Sequence, residues 1–232
     1  MAKIRDNEPL PPHTKLSYDE CYAKLILEKF FPDRYENLQL SDKPDLRDLK
    51  HNIGIEVTSA IPKEEQEALS LAAMIPYVDE QSQERRRKRL EKMGYRYTKY
   101  GMAHPPESYN YGGDFNSVSI KDTACKKILE ACEEKARKLN SGNYAKLERY
   151  DLYVYSEEVI DSWMIPKLIQ AISSINVGEK QYRYIYFITL CEILVFDTEH
   201  DECTGIDIAG GRKLDGLGEK ARKIVEAGEK DE

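Results

Sequence analysis

Between Ser41 and Ala60 the chain passes from a Pro44-Asp45 pair through a polar turn, Lys50-His51-Asn52, into a short apolar run broken by one carboxylate, Glu56. Ile53, Ile55 and Val57 are β-branched at alternate positions, which predicts a strand over 53–59. Gly54, Glu56 and Thr58 share the other face of that strand, because strand side chains alternate. The turn folds Asp45–Leu49 back as a hairpin partner and brings the carboxylates of Asp45 and Glu56 together. Two such groups repel unless something holds them, and a hard divalent cation such as Mg²⁺ suits that role. The competing reading is a surface hairpin with two solvated acids.

The pattern resembles the active-site motif of the PD-(D/E)XK phosphodiesterases, the restriction-endonuclease-like nucleases. Pro44-Asp45 matches its first half and Glu56-Val57-Thr58 its second. The resemblance implies an α/β fold, a mixed β-sheet flanked by helices. It also implies a Mg²⁺ (or Mn²⁺) site held by Asp45, Glu56 and the Val57 carbonyl, and a nucleic-acid substrate, DNA before RNA. Many enzymes of this type cut duplexes as homodimers, although no residue of this chain points to a dimer. The family's lysine falls at position 58, where this chain has threonine. A binding module that keeps the fold without the chemistry is therefore the alternative function.

Around that hairpin the predicted order is helix, three strands, a helical and tyrosine-rich insertion, helix, strand, helix, strands. The core takes about 16–60 and 117–200, and the insertion about 61–116. Ser17, with Glu20 three residues on, starts a helix that stops before Pro32. Glu20, Ala23, Leu27 and Phe31 form one stripe, and in the resembled family a first-helix glutamate often points at the metal; Glu28 is a weaker substitute. Tyr35–Leu40 reads as the first strand. Pro76 breaks the helical region that begins at Lys63, and a second helix spans about 77–93. Strands are expected at 150–155, 184–190 and 193–196, an amphipathic helix at 161–175, and a charged, poorly packed helix at the end.

The insertion carries the basic charge. Arg85, Arg86, Arg87, Lys88, Arg89, Lys92, Arg96 and Lys99 face one acid, Glu91, in a chain whose net charge is −7. Five consecutive cations spread around a helix, so much of the run is solvated. Arg85, Arg86, Arg89, Arg96 and Lys99 are the candidate phosphate contacts, and the interleaved tyrosines either stack on bases or form a plain hairpin and loop.

With threonine at 58, a working site needs a cation from elsewhere. In the helix predicted from Ser117 or Ser119 to about Asn140, Ile128, Cys132 and Leu139 form an apolar stripe whose missing member is Lys135. A lysine there either snorkels outward or pairs with the Asp45/Glu56 carboxylates. Lys121 is second choice, while Lys126 and Lys127 point away. Other chemistries lack support: His200-x-x-Cys203 alone is no zinc site, and Gly210-Gly211-Arg212-Lys213 lacks the rest of a P-loop. The five cysteines form no CxxC pair and read as reduced residues of a cytoplasmic protein. No run of about 18 apolar residues predicts a membrane span.

Overall fold

The structure is a computed structural model that describes residues 9–10, 14–97, 103–104, 118–141, 144–156, 159–189, 191–208 and 211–229, with side chains for all of these except 103–104 and 118–124. The chain divides into two compact units: residues 14–60 and 121–232 form one, and residues 61–120 with the N-terminal 1–13 form the other.

The larger unit is built on a seven-stranded mixed sheet. In chain order its elements are α1 (Tyr18–Phe30), β1 (Gln39–Leu40), β2 (Leu46–Asp48), β3 (Ile53–Ser59), α4 (Val118–Ser141), β6 (Arg149–Tyr155), α5 (Ile165–Ile175), β7 (Tyr182–Ile188), β8 (Glu192–Asp197), β9 (Glu202–Asp207) and α6 (Leu217–Gly228). Between β3 and α4 the chain makes the smaller unit: α2 (Lys63–Met74), α3 (Glu80–Lys92) and a two-stranded ribbon of β4 (Arg96–Tyr97) and β5 (Ala103–His104).

Strands lie in the order β1-β2-β3-β6-β7-β8-β9. The ladders β3–β6 and β6–β7 are parallel, and the others are antiparallel. Parallel neighbours need crossover connections, which α4 and α5 supply. Ile128, Cys132, Leu168 and Ile172 of these two helices bury one face of the sheet with Leu152, Val154, Ile185 and Phe187. On the other face Ala23, Ile26 and Leu27 of α1 pack with Ile53, Ile55, Val57, Tyr153 and Tyr186. Both faces of the central strands are therefore covered, which is why β6 and β7 read as nearly continuous apolar runs.

Several sequence expectations need correction. The first strand is confined to Gln39–Leu40 rather than Tyr35–Leu40, because Asn37 takes a positive φ of 58°, a conformation no strand residue adopts. The C-terminal helix is well packed: Leu217, Ala221 and Val225 are buried, and α6 lies against α1. Glu202–Asp207, where no strand is expected, forms the edge strand β9 on β8. The helix expected at 77–93 starts at Glu80, where Asp79 caps it by accepting from the Ser82 N–H.

Asp151 is a buried acid that strand alternation alone did not flag; it is 0% exposed. Between the pairs Tyr150↔Tyr182 and Leu152↔Ile185 the register shifts, so Arg183 and Tyr184 together stand opposite Asp151. This is a bulge, which leaves a backbone donor out of the ladder. Asp151 Oδ1 accepts the Tyr184 N–H at 2.9 Å, while Oδ2 accepts from Tyr35 O–H at 2.8 Å and from Arg149 Nε at 2.9 Å. The carboxylate thus repairs the ladder, and its charge is met by a guanidinium. Arg34, Arg183 and Arg149 gather about the Tyr184 ring, with Cζ atoms 4.0, 4.5 and 5.3 Å from its centroid.

In the smaller unit Ala68, Ala72, Ile75 and Leu90 form the buried core. Pro76 lies in a short 3-10 turn, Ile75–Tyr77, that separates α2 from α3.

Candidate active site

The hairpin β2–β3 pairs Leu46 with Ile55 and Asp48 with Ile53, so Asp45 stands just beyond the end of the short strand, beside Val57. Asp45 Oδ2 accepts the Val57 N–H at 2.7 Å. That bond fixes the carboxylate at the open edge of β3. In an extended strand a residue's N–H and C=O point to the same edge, so the Val57 carbonyl faces the same side as Asp45.

Gly54 makes this approach feasible. A Cβ there would stand 2.4 Å from Pro44 Cγ and 2.5 Å from Leu147 Cδ1. Only glycine lets the Pro44-Asp45 segment lie this close to the strand.

Glu56 aligns with Leu152 across the β3–β6 ladder and therefore faces α4. It is 2% exposed. From α4, Lys135 Nζ donates to Glu56 Oε2 at 2.6 Å and reaches Asp45 Oδ2 at 3.4 Å. The second oxygen of Glu56, Oε1, is buried and makes no hydrogen bond of good geometry among the described residues, while the Tyr144 hydroxyl stands close enough to the carboxylate to act on it as a donor. Burial pushes the Glu56 carboxyl up, opposed by Lys135 and reinforced by Asp45. Burial pulls the Lys135 ammonium down, but Asp45 and Glu56 outweigh it and hold the group above its ordinary range. The Lys135 carbonyl accepts from the Tyr182 hydroxyl at 3.1 Å, which anchors the helix backbone to β7.

Glu20 reaches the same cluster from α1, on the opposite face of the sheet. Burial and then the Asp45 charge push its carboxyl up to about 7, with Lys135 opposing and Glu56 adding to the rise. Glu28 does not serve as a substitute: it pairs with Lys24 and accepts the Leu38 N–H at 2.8 Å. Thr58 is half-buried on the strand face that carries Glu56. Lys126 pairs with Glu130 at the surface, and the Lys121 side chain lies outside the described residues.

Tyr144, just past α4, was not singled out from the sequence. Burial and the Glu56 charge push its hydroxyl far above the ordinary tyrosine range, and Asp45 and Asp42 add to the shift. Nothing local marks this tyrosine among the sixteen in the chain; only the fold brings it beside Glu56.

Among the described residues no group of three or more His, Cys, Asp or Glu side chains is arranged to hold a metal ion. A hard cation could nevertheless be held by mixed donors: Asp45, Glu56 and the Val57 carbonyl are all oxygen ligands of the kind Mg²⁺ takes. The buried Glu56 Oε1, with no hydrogen bond of good geometry among the described residues, fits that use, since a buried carboxylate oxygen is costly without a cation or a well-placed donor.

In the smaller unit Arg85 and Arg89 are exposed on α3, and Arg86 is half-buried. Arg89 is engaged with Glu67 of α2 through Nε at 3.2 Å and Nη2 at 3.0 Å. Arg96 is exposed on β4, and Lys99 lies outside the described residues. Cys21 and Cys132 are buried, whereas Cys191 is exposed. No helix among the described residues is long and apolar enough to cross a membrane.

No family model matches this chain, and no curated protein or solved structure matches it.

Proposed function

We propose that the chain is a Mg²⁺-dependent nuclease of the restriction-endonuclease-like type, acting on DNA. The observation that carries the reading is the meeting of Asp45, Glu56 and Lys135 beside the open edge of β3. Three separate segments of chain converge there, and their residue types match two ligands and one cation of a phosphodiester-cleaving site. Asp45, Glu56 and the Val57 carbonyl hold the metal. A Mg²⁺ ion bound there lowers the pKa of a water and offsets charge on the scissile phosphate. The Val57 N–H keeps Asp45 oriented. Lys135 takes the part of the lysine absent at position 58, orienting the attacking water or steadying a phosphoryl oxygen. Glu20, with a carboxyl near 7, is suited to hold or accept a proton at neutral pH. Arg85, Arg86, Arg89, Arg96 and Lys99 supply phosphate contacts.

A second reading has one observation in its favour. Lys135 already compensates the charge of Glu56 and Asp45, so a nucleic-acid- or protein-binding module with this fold would need no metal.

Calorimetric titration of Mg²⁺, together with plasmid cleavage, separates the two. Wild type should bind saturably and cut, and Asp45→Ala should lose both. Glu56→Gln should cut at least about 100-fold more slowly, since even residues that only orient a ligand cost 10–100-fold. Absence of binding and cleavage in wild type, with DNA present, would select the binding module.

A further inference from the structure

We propose that Lys135 is a built-in stand-in cation: its ammonium occupies the place between Asp45 and Glu56 that a divalent ion takes, and the metal loads only by expelling it. This inference rests on the metal-dependent reading above and describes how that site is regulated. Metal affinity is then set by a competition with a residue of the chain itself.

The contacts support an exchange rather than shared occupancy. Lys135 Nζ reaches Glu56 Oε2 and Asp45 Oδ2 together, at 2.6 and 3.4 Å. Those oxygens belong to the two side chains that a cation would need. Asp45 Oδ2 also accepts the Val57 N–H at 2.7 Å, so it already serves two donors. A dication held by the same two side chains, even through Glu56 Oε1, would stand beside the ammonium, and two like charges repel strongly in a buried setting.

Motion is available to the side chain but not to its helix. Cys132, Ala136 and Leu139 beside it on α4 are buried, and the Lys135 carbonyl is held by Tyr182. The flexible four-carbon stem of lysine can swing the ammonium away without shifting the backbone. The released ammonium stays tethered next to the site, where a phosphate would meet it. Loading the metal and freeing the lysine for the phosphate become one event.

Affinity for a ligand whose binding-competent state is only partly populated is reduced by that fraction. If Lys135 bridges the carboxylates about nine-tenths of the time, removing it tightens metal binding about tenfold. A lysine that only supports the fold predicts the opposite sign or no change.

The test titrates Mg²⁺ calorimetrically into wild type, Lys135→Met, Lys135→Gln and Asp45→Ala, and follows thermal melting with and without Mg²⁺. In parallel, wild type is treated with an amine-reactive reagent, and modification of Lys135 is read by mass spectrometry. Lys135→Met and Lys135→Gln should bind about tenfold more tightly, and Mg²⁺ should raise their melting temperature more than that of wild type. Lys135 of wild type should be modified faster once Mg²⁺ saturates the site. Unchanged or weaker affinity in the folded variants, or slower or unchanged labelling, overturns the exchange. If the variants do not fold, labelling of wild type decides alone. Binding that is lost in Asp45→Ala but indifferent to Lys135 removes the competition and leaves the metal site standing; no binding in any protein removes the metal reading as well.

Discussion

The chemistry of Glu20 depends on its surroundings. Its carboxyl would ionise near 4.5 in an unfolded chain and is pushed up to about 7 in the fold, by burial first and then by Asp45. Between these values the unfolded chain releases a proton that the folded chain keeps, so folding loses stability as pH rises through the window. Below it the residue is neutral in both states, and above about 7 the loss is complete. Glu20→Gln, which mimics the protonated acid, should match wild type in melting temperature at about pH 4 and exceed it at about pH 8. Solvent screening of a half-exposed carboxyl holds the effect to about 1 kcal/mol, or roughly 2–4 °C for a chain of this size. Equal melting at both pH values would show that the neighbouring acids do not hold the proton on.

Strand β3 does three jobs along seven residues. Ile53, Ile55 and Val57 seal one core, Glu56 enters the other layer, and the Val57 N–H fixes Asp45 at the strand's open edge. Gly54 is the hinge of this arrangement, because Pro44 and Leu147 fill the space where a side chain would be. Gly54→Ala forces both to move, at a cost of about 1–3 kcal/mol. Since Pro44 precedes Asp45 directly, the same shift should draw the carboxylate off the Val57 N–H and weaken Mg²⁺ binding about tenfold. Melting and calorimetry measure the two effects separately. A loss of stability with unaltered metal affinity would mean that Asp45 is positioned by something other than the seat of Pro44 on Gly54.

At the scale of the whole molecule, the charge is unevenly distributed. The net charge is −7, yet Arg85 to Arg89 form an unbroken run of five cations. If that run contacts phosphates, changing Arg85, Arg86 and Arg89 to Gln should weaken DNA binding and flatten its salt dependence, by about one unit of slope for each phosphate no longer neutralised. Arg89 should contribute least, because Glu67 already pairs with it. An affinity measured from low to high salt with an unchanged slope would make the run a solvated face.

Local pattern determined much of this. The alternation of Ile53, Ile55 and Val57 specifies β3, Ser17 specifies the start of α1, and Pro76 the break between α2 and α3. Lys135 was legible because it interrupts an apolar stripe, and burying an ammonium without a partner is costly. Asp45 and Glu56 were legible as a pair because a hairpin folds one strand back onto the other. Tertiary structure alone decided what depends on distant segments: the full burial of Asp151, which a bulge between β6 and β7 makes necessary, the packing of α6 on α1, and the place of Tyr144 beside Glu56. Periodicity shows which face of an element turns inward. What that face meets is set by the crossovers that bring β3, α4 and β6 together, and no local pattern contains them.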